Sequence, residues 1–172
     1  YYSFYTEDSG LLSRYPISDS STVYPLNDDR GSIYRLVTKK GDQEFAVYTA
    51  HLDYRNCAYY DARGYDGNNW EKIEPVTNLD SILVLNRASV RDDAIARFIK
   101  EAEKDKAAGR IVILGGDFNE PSHLDWTEAT KDMRDHYGLV VPWDVSVMLE
   151  KAGYKDSYRE KYPDPVTHPG FT

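Results

Sequence analysis

Residues 111–122 read IVILGGDFNEPS, an apolar run of strand length followed at once by a dense group of polar residues. The run has no polar interruption, so we expect a strand that is buried on both faces and ends at Gly115-Gly116-Asp117. The segment from Ser89 to Gly109 repeats apolar residues at helical spacing between a capping-box-like start and a glycine stop, which predicts an amphipathic helix. A helix that leads directly into a buried strand indicates an α/β or α+β organisation.

Alternating apolar and polar residues predict further strands upstream. Residues 33–38 (IYRLVT) and 45–52 (FAVYTAHL) both alternate, and the turn KKGD between them predicts an antiparallel hairpin of half-buried strands. A short strand is also predicted within residues 10–17 (GLLSRYPI). His51 would then lie at the end of a strand.

The rest of the chain is less regular. Residues 53–78 lose periodicity and form a long loop rich in Tyr, Asn, Asp and Gly, and loops of this length tend to be functional. Helices are predicted at about residues 123–136 and 145–152. With 172 residues and no internal repeat, we expect one domain over residues 1–172.

Composition narrows the classes of function. The hydrophobic content of 41% excludes a disordered chain, and no apolar run approaches the ~20 residues that span a bilayer. The net charge of −8 disfavours non-specific binding to the phosphate backbone of nucleic acids. The single Cys57 excludes an internal disulfide and a cysteine-rich zinc site.

Asp117 and Asn119 are the first candidate site residues. As an i, i+2 pair after a strand, they would present a carboxylate and an amide to one small volume. Phosphoryl transfer uses such groups, because a carboxylate holds a cation or orients water while an amide donates to a phosphoryl oxygen. The alternative is a strand-to-helix turn in which Asp117 only caps a helix.

His51 is the second candidate. Histidine titrates near neutrality and can protonate a leaving oxygen when a carboxylate fixes its tautomer. A lone histidine is more often a satisfied core or surface group, so the assignment depends on the polar residues that follow the same strand.

Four segments, taken in order, carry a resemblance to a known family. GLLSRYPI at 10–17, TAHLDY at 49–54, GGDFNEPS at 115–122 and KDSYR at 155–159 resemble the endonuclease/exonuclease/phosphatase family, which includes deoxyribonuclease I. The resemblance implies a four-layer α/β/β/α sandwich, of which this chain would be a part. It also implies a metal-dependent phosphoester hydrolase of phosphodiesterase, nuclease or phosphatase type.

Site roles follow from the resemblance where residues match. His51 matches the family histidine that contacts phosphate, Asp117 the aspartate that orients or deprotonates water, and Asn119 the asparagine that helps to bind phosphate. Glu7 lies six residues before Ser13 of the SRYP segment. A carboxylate at a similar offset pairs with the histidine in deoxyribonuclease I, although Glu7 could equally be a solvated loop residue.

The resemblance also implies a divalent cation, Mg²⁺ or Mn²⁺, with Ca²⁺ as a further candidate. Asp117 is the candidate ligand within this chain. The family's early glutamate ligand would precede Tyr1 and its closing Ser-Asp-His motif would follow Thr172, so we expect the chain to be truncated at both ends and inactive by itself.

Three further residues are candidates for substrate binding: Arg14 and Arg63, each also suited to a surface ion pair, and Tyr54. Tyr54 belongs to an aromatic group in the long loop that would either stack on a base or sugar or pack the loop onto the sheet. The rival functions are a carbohydrate- or ligand-binding module, suggested by 15 Tyr and three Trp, and an inactive scaffold of the family.

Substrate and compartment are expectations from composition alone. The acidic balance favours a small phosphodiester or a lipid or sugar phosphate over long DNA. The Tyr- and Asn-rich loop and the near absence of Cys favour a secreted or periplasmic protein.

Overall fold

The computed structural model describes residues 1–6, 8–24 and 30–170, which form two compact units. The first unit contains Tyr1–Asp53 and Asp93–Asn119, and the second contains Tyr54–Asp92 and Glu120–Thr172. The strands are β1 Tyr2–Tyr5, β2 Gly10–Ser13, β3 Ile17–Tyr24, β4 Gly31–Lys40, β5 Gln43–Leu52 and β6 Ile111–Asp117. The helices are α1 Ala58–Ala62, α2 Leu79–Asn86, α3 Arg91–Ala107, α4 Asp144–Lys151 and α5 Ser157–Lys161. The predicted mixed α/β class is confirmed, while the single-domain assignment stays a prediction.

The first unit is built on a mixed four-stranded sheet in the order β3-β4-β5-β6. The β3–β4 and β4–β5 pairs are antiparallel and the β5–β6 pair is parallel. The predicted hairpin is therefore confirmed, with strands longer than the alternating segments. Two elements were not predicted: β1, which pairs with β2 in a separate two-stranded sheet, and β3, which begins directly after Pro16.

Strand β4 is buried on both faces, so the prediction of a half-buried strand was wrong. On one face Arg35 contacts Asp105 of α3 with Nε–Oδ2 at 2.8 Å. On the other face Tyr34 packs edge to face on Phe4 of β1, with ring centroids 6.0 Å apart. The strand alternates polar and apolar residues in the sequence. In the structure, however, α3 covers one of its faces and the β1–β2 hairpin covers the other.

Strand β6 is the last strand in the order of the four-stranded sheet, and one of its faces is exposed, which corrects the prediction that it is buried on both faces. Ile111 and Ile113 are 46% and 47% exposed. The strand also continues through the two glycines to Asp117. Gly116 has φ 139°, and a Cβ there would lie 1.9 Å from the Ala50 carbonyl oxygen, so the parallel pairing with β5 depends on this glycine.

The second unit packs around an apolar cluster. Its buried members are Ala58, Ala62, Ile82, Trp126, Leu139, Val141 and Trp143. Trp126 and Trp143 meet edge to face, with ring centroids 5.3 Å apart. Helix α4 confirms the prediction at residues 145–152 to within one residue at each end. Helices α1, α2 and α5 were not predicted.

The predicted helix at residues 123–136 was wrong, because this stretch folds as consecutive turns. The Thr130 hydroxyl accepts from the Thr127 N–H at 2.9 Å and donates to the Asp125 carbonyl at 2.7 Å. Hydroxyl groups that bond nearby backbone in this way compete with helical hydrogen bonds. Arg134, with φ 52°, leaves the right-handed helical region altogether.

The long loop after Asp53 contains only the five-residue α1 and one isolated bridge between Tyr65 and Lys72 before α2 begins. Among the helices that the structure describes, none has both the length and the apolar content needed to cross a membrane.

Candidate active site

The candidate site lies where β5 and β6 end side by side. The two strands run parallel, and His51 is the direct neighbour of Asp117 in their register. Adjacent strands are about 4.8 Å apart, so the two side chains begin from neighbouring backbone positions. The His51 side chain is 39% exposed and Asp117 is also exposed. In α/β sheets, ligands bind outside the carboxyl ends of the strands, which is where these residues lie.

Asp8 is the carboxylate that holds His51. Its Oδ1 lies 2.8 Å from His51 Nδ1, and its side chain is 16% exposed. A carboxylate has no hydrogen to donate, so Nδ1 carries the hydrogen and Nε2 is left as the chemically active nitrogen. Glu7, the residue that sequence reasoning proposed for this role, lies outside the described residues.

The turn that carries Asp8 is anchored on the sheet. Thr6 N–H donates to the Ser9 carbonyl at 3.0 Å, which closes the turn between β1 and β2. The Ser9 and Thr49 hydroxyls are hydrogen-bonded at 2.9 Å. The Ser32 hydroxyl donates to Asp8 Oδ2. Asp8 is thus fixed from both its backbone turn and its second carboxylate oxygen.

Close backbone packing beneath His51 depends on Gly31. This residue pairs with Leu52 and has φ 91°. A Cβ at Gly31 would lie 2.6 Å from the His51 carbonyl oxygen and 2.7 Å from the Asp53 nitrogen. A glycine here lets β4 run against the end of β5 without displacing the histidine.

Asn119 ties the end of β6 to the end of β5. Its Nδ2 donates to the Leu52 carbonyl at 2.8 Å, and its backbone N–H donates to Asp117 Oδ1 at 2.9 Å. Its φ of 48° is uncommon for a residue other than glycine, although Asn tolerates it better than most. The turn orients Asp117, while the carboxylate keeps lone pairs for a further partner. The bond to the Asn119 N–H resembles the capping alternative, but it closes a turn and does not cap a helix.

The remaining sequence candidates have different surroundings. Arg14 is exposed and makes no ion pair with the residues that the structure describes. Tyr54 is 44% exposed, at the start of the second unit. Arg63, also in that unit, donates from Nε to Asp135 at 2.6 Å and from Nη1 to the Tyr59 hydroxyl at 2.6 Å. Those contacts are the ion pairing that was the alternative to phosphate binding.

Glu120, which follows Asn119, is buried in the second unit. Its carboxylate accepts from Asn86 Nδ2 at 2.7 Å and from the Val145 N–H at 2.6 Å, and lies 3.5 Å from Arg91 Nε. Burial raises the pKa of this carboxyl above its usual value. Because it is covered and engaged on both oxygens, Glu120 supports the fold around α4 and is not a candidate base.

A metal centre is not complete within the part of the chain that the structure describes. No three His, Cys, Asp or Glu side chains there converge on a common point. Divalent cations such as Mg²⁺ require several oxygen ligands, and Asp117 alone does not supply them. The described residues therefore do not fit a closed metal site.

Sequence reasoning missed Asp8 and Ser32. The segment EDS at 7–9 offers two adjacent carboxylates, and only the closure of the β1–β2 turn shows that Asp8 reaches His51. Ser32 gave no comparable signal, because it lies before the alternating residues 33–38, and its position directly opposite His51 is set by the strand register.

Comparison with known proteins gives one family and one relative. The model of the endonuclease/exonuclease/phosphatase family matches residues 1–171. The chain is 33% identical over 168 residues to an uncharacterized protein of Caenorhabditis elegans, F14F9.5. That match covers 96% of this chain and 49% of the relative, so the chain spans about half the length of that protein. No solved structure matches the chain.

Proposed function

This chain belongs to the endonuclease/exonuclease/phosphatase family, and we propose that the intact protein hydrolyses phosphoesters at the carboxyl ends of β5 and β6. Members of the family are generally hydrolases that act on phosphoester substrates. One observation carries the assignment to this place in the fold. His51, which is hydrogen-bonded to Asp8, and Asp117 lie side by side at the ends of adjacent parallel strands, and both reach the surface.

The proposed reaction is attack of water on phosphorus with loss of an alcohol. Asp117 orients the water and accepts one of its protons as the new P–O bond forms. The imidazolium of His51 donates from Nε2 to the leaving oxygen as the P–O bond to the alcohol breaks, while Asp8 holds Nδ1. Asn119 keeps Asp117 in place and, as the family resemblance implies, contributes to the phosphate contact.

Divalent-cation dependence is part of this proposal and has its own test. Mg²⁺ or Mn²⁺, with Ca²⁺ as a further candidate, would offset charge on the phosphoryl oxygens. The described residues do not complete a metal site, and the proposed roles of His51, Asp8 and Asp117 involve only their own side chains. The proposed substrates are small phosphodiesters and lipid or sugar phosphates, which suit the acidic chain better than long DNA.

A panel of phosphodiesters and phosphomonoesters tests the proposal in the intact protein. Release of alcohol or phosphate is measured with Mg²⁺, Mn²⁺, Ca²⁺ or a chelator, for the wild type and for His51→Ala and Asp117→Ala. We expect cation-dependent turnover of at least one diester and its loss in both variants. A folded wild type that turns over none of the panel would contradict the proposal.

The rival ligand-binding function has a specific structural basis. In the second unit Trp70 is 56% exposed and Tyr65 is 41% exposed, both in the loop that follows α1. Such faces suit stacking on a sugar ring. A binding module would retain a glycan in the presence of a chelator and after Asp117→Ala, whereas the hydrolase would lose its activity under both conditions.

A further inference from the structure

Three side chains form a continuous hydrogen-bonded chain on one face of the sheet. Ser32 on β4 lies directly opposite His51 on β5 in the antiparallel register. Its hydroxyl donates to Asp8 Oδ2, and Asp8 Oδ1 lies 2.8 Å from His51 Nδ1. Ser32 is fully buried, with 0% of its surface exposed, whereas the His51 side chain is 39% exposed. The chain therefore runs from the interior towards the exposed ring.

We propose that Ser32 is a positioning residue that orients the Asp8 carboxylate and, through it, the His51 imidazole. A carboxylate that is bonded through one oxygen can rotate about its Cβ–Cγ bond. A donor on the other oxygen fixes its plane and so fixes the direction in which Oδ1 meets Nδ1. The effect on catalysis rests on the proposed function, but the effect on the ring does not.

The choice of residue at position 32 supports this role. Other buried residues of β4, such as Ile33 and Leu36, are apolar, so burial in this strand does not by itself require a hydroxyl at position 32. A buried hydroxyl costs free energy unless it is hydrogen-bonded, and the described partner of Ser32 is the acceptor that also binds the histidine. The bond between the Ser9 and Thr49 hydroxyls anchors the same turn without contacting the Asp8 carboxylate, whereas the Ser32 hydroxyl bonds that carboxylate directly.

The test uses three substitutions that separate volume from hydrogen bonding. Ser32→Ala removes the hydroxyl, Ser32→Cys keeps a side chain of similar size with a weak donor, and Ser32→Thr keeps the hydroxyl. The imidazole ¹⁵N chemical shifts of His51 report its tautomer directly. We expect one Nδ1–H tautomer in the wild type and Ser32→Thr, and a tautomer mixture in Ser32→Ala and Ser32→Cys.

Turnover gives the second readout. With the substrate found by the panel, kcat should fall about 10-fold in Ser32→Ala and Ser32→Cys with KM little changed, because an orienting partner acts on the reacting group and not on substrate binding. Ser18→Ala is the matched control. It removes a hydroxyl of β3 in the same sheet, one that donates to the Val37 carbonyl at 3.3 Å, and should leave tautomer and kcat unchanged.

A double-mutant cycle decides whether Ser32 acts through Asp8. In an Asp8→Ala background, Ser32→Ala should have no further effect on the His51 tautomer or on kcat. An unchanged tautomer in both Ser32→Ala and Ser32→Cys would overturn the proposal even if the wild type is active. A changed tautomer in an otherwise inactive wild type would support the role of Ser32 while contradicting the proposed function.

Discussion

At the scale of single residues, His51 depends on a carboxylate that fixes one of its two ring nitrogens. Asp8→Asn replaces that carboxylate with an amide, which can present an N–H to Nδ1 and stabilise the wrong tautomer. We expect kcat to fall by about 10²–10⁴-fold with a small change in KM, measured on the preferred substrate.

Asp42→Asn is the matched control for this prediction. Asp42 is a fully exposed carboxylate in the turn at the opposite end of the same β4–β5 hairpin, and its substitution should leave kcat unchanged. Equal losses in the two variants would show that the effect of Asp8→Asn is not specific to the His51 pair.

Two adjacent glycines give a second prediction. Gly116→Ala places a Cβ 1.9 Å from the Ala50 carbonyl oxygen at a φ of 139°, whereas a Cβ at Gly115 meets nothing within 4 Å. We expect Gly116→Ala to lower the free energy of unfolding by more than about 2 kcal/mol and Gly115→Ala to change it by less than about 1 kcal/mol. Urea unfolding of the two variants measures both values, and similar values would contradict the register of β5 and β6.

The local sequence predicts some residues of the candidate site and not others. His51 and Asp117 lie at the ends of recognisable strands and Asn119 follows one, so local pattern and family resemblance selected them as candidates. Asp8 and Ser32 could not be found in the same way, because their roles come from a turn and a strand that meet His51 only in three dimensions. Asp8 is 43 positions from its partner His51 along the chain.

At the scale of elements, α3 is attached to the sheet by a buried ionic network. Asp105 of α3 accepts from Arg35 at 2.6 and 2.8 Å, from Arg110 at 2.9 Å, and from the Tyr48 hydroxyl. Asp105→Asn would leave the buried Arg35 guanidinium without its main counter-charge. We expect the free energy of unfolding to fall by about 3–5 kcal/mol. Glu103→Gln removes an exposed carboxylate that pairs with Lys106 on the same helix, and it should change this free energy by less than about 1 kcal/mol because surface pairs contribute little.

The same network predicts a dependence of stability on acid pH. Burial by itself would raise the pKa of Asp105, but the hydrogen bonds from Arg35, Tyr48 and Arg110 outweigh it and lower the pKa to about 2. Since the folded-state pKa lies below the unfolded value, the stabilisation is complete above about pH 4 and is lost as pH falls towards 2. It amounts to about 2 kcal/mol.

Urea unfolding between about pH 5 and pH 2 measures this effect. The wild type should lose stability over that interval more steeply than Asp105→Asn. Parallel curves for the two proteins would contradict the assignment to Asp105.

Element prediction succeeded where local signals agree and failed where packing decides. The α3 helix and the β4–β5 hairpin have strong caps, turns and periodicity, and the structure has both. The run IVIL predicts a strand correctly. Whether both faces of that strand are buried depends on the elements packed around it and not on its own residues. Residues 123–136 contain helix-forming side chains, yet the hydroxyls of Thr127 and Thr130 close turns instead.

At the scale of the whole molecule, the charge of −8 bears on the choice of substrate. Long-range repulsion should slow the encounter with duplex DNA more than the encounter with a small phosphodiester. Raising the ionic strength from about 0.01 M to about 0.15 M shortens the screening length from about 30 Å to about 8 Å. We therefore expect kcat/KM to be higher for the small diester than for DNA. The ratio of the two values should fall towards one as salt is added at a constant concentration of divalent cation. A ratio that rises with salt would indicate a local basic surface that binds DNA.

The Asp8–His51 pair beside Asp117 is the proposed phosphoester-hydrolysing centre. The most direct measurement compares kcat on the preferred phosphodiester for the intact wild type, His51→Ala and His123→Ala. His123 is a second histidine, bonded to the Ser146 hydroxyl at 2.9 Å, that lies in the other unit and outside the proposed chemistry. A loss of about 10²-fold or more in His51→Ala with wild-type turnover in His123→Ala is the predicted result. Unchanged turnover in a folded His51→Ala variant would contradict the proposed role of His51 in phosphoester hydrolysis.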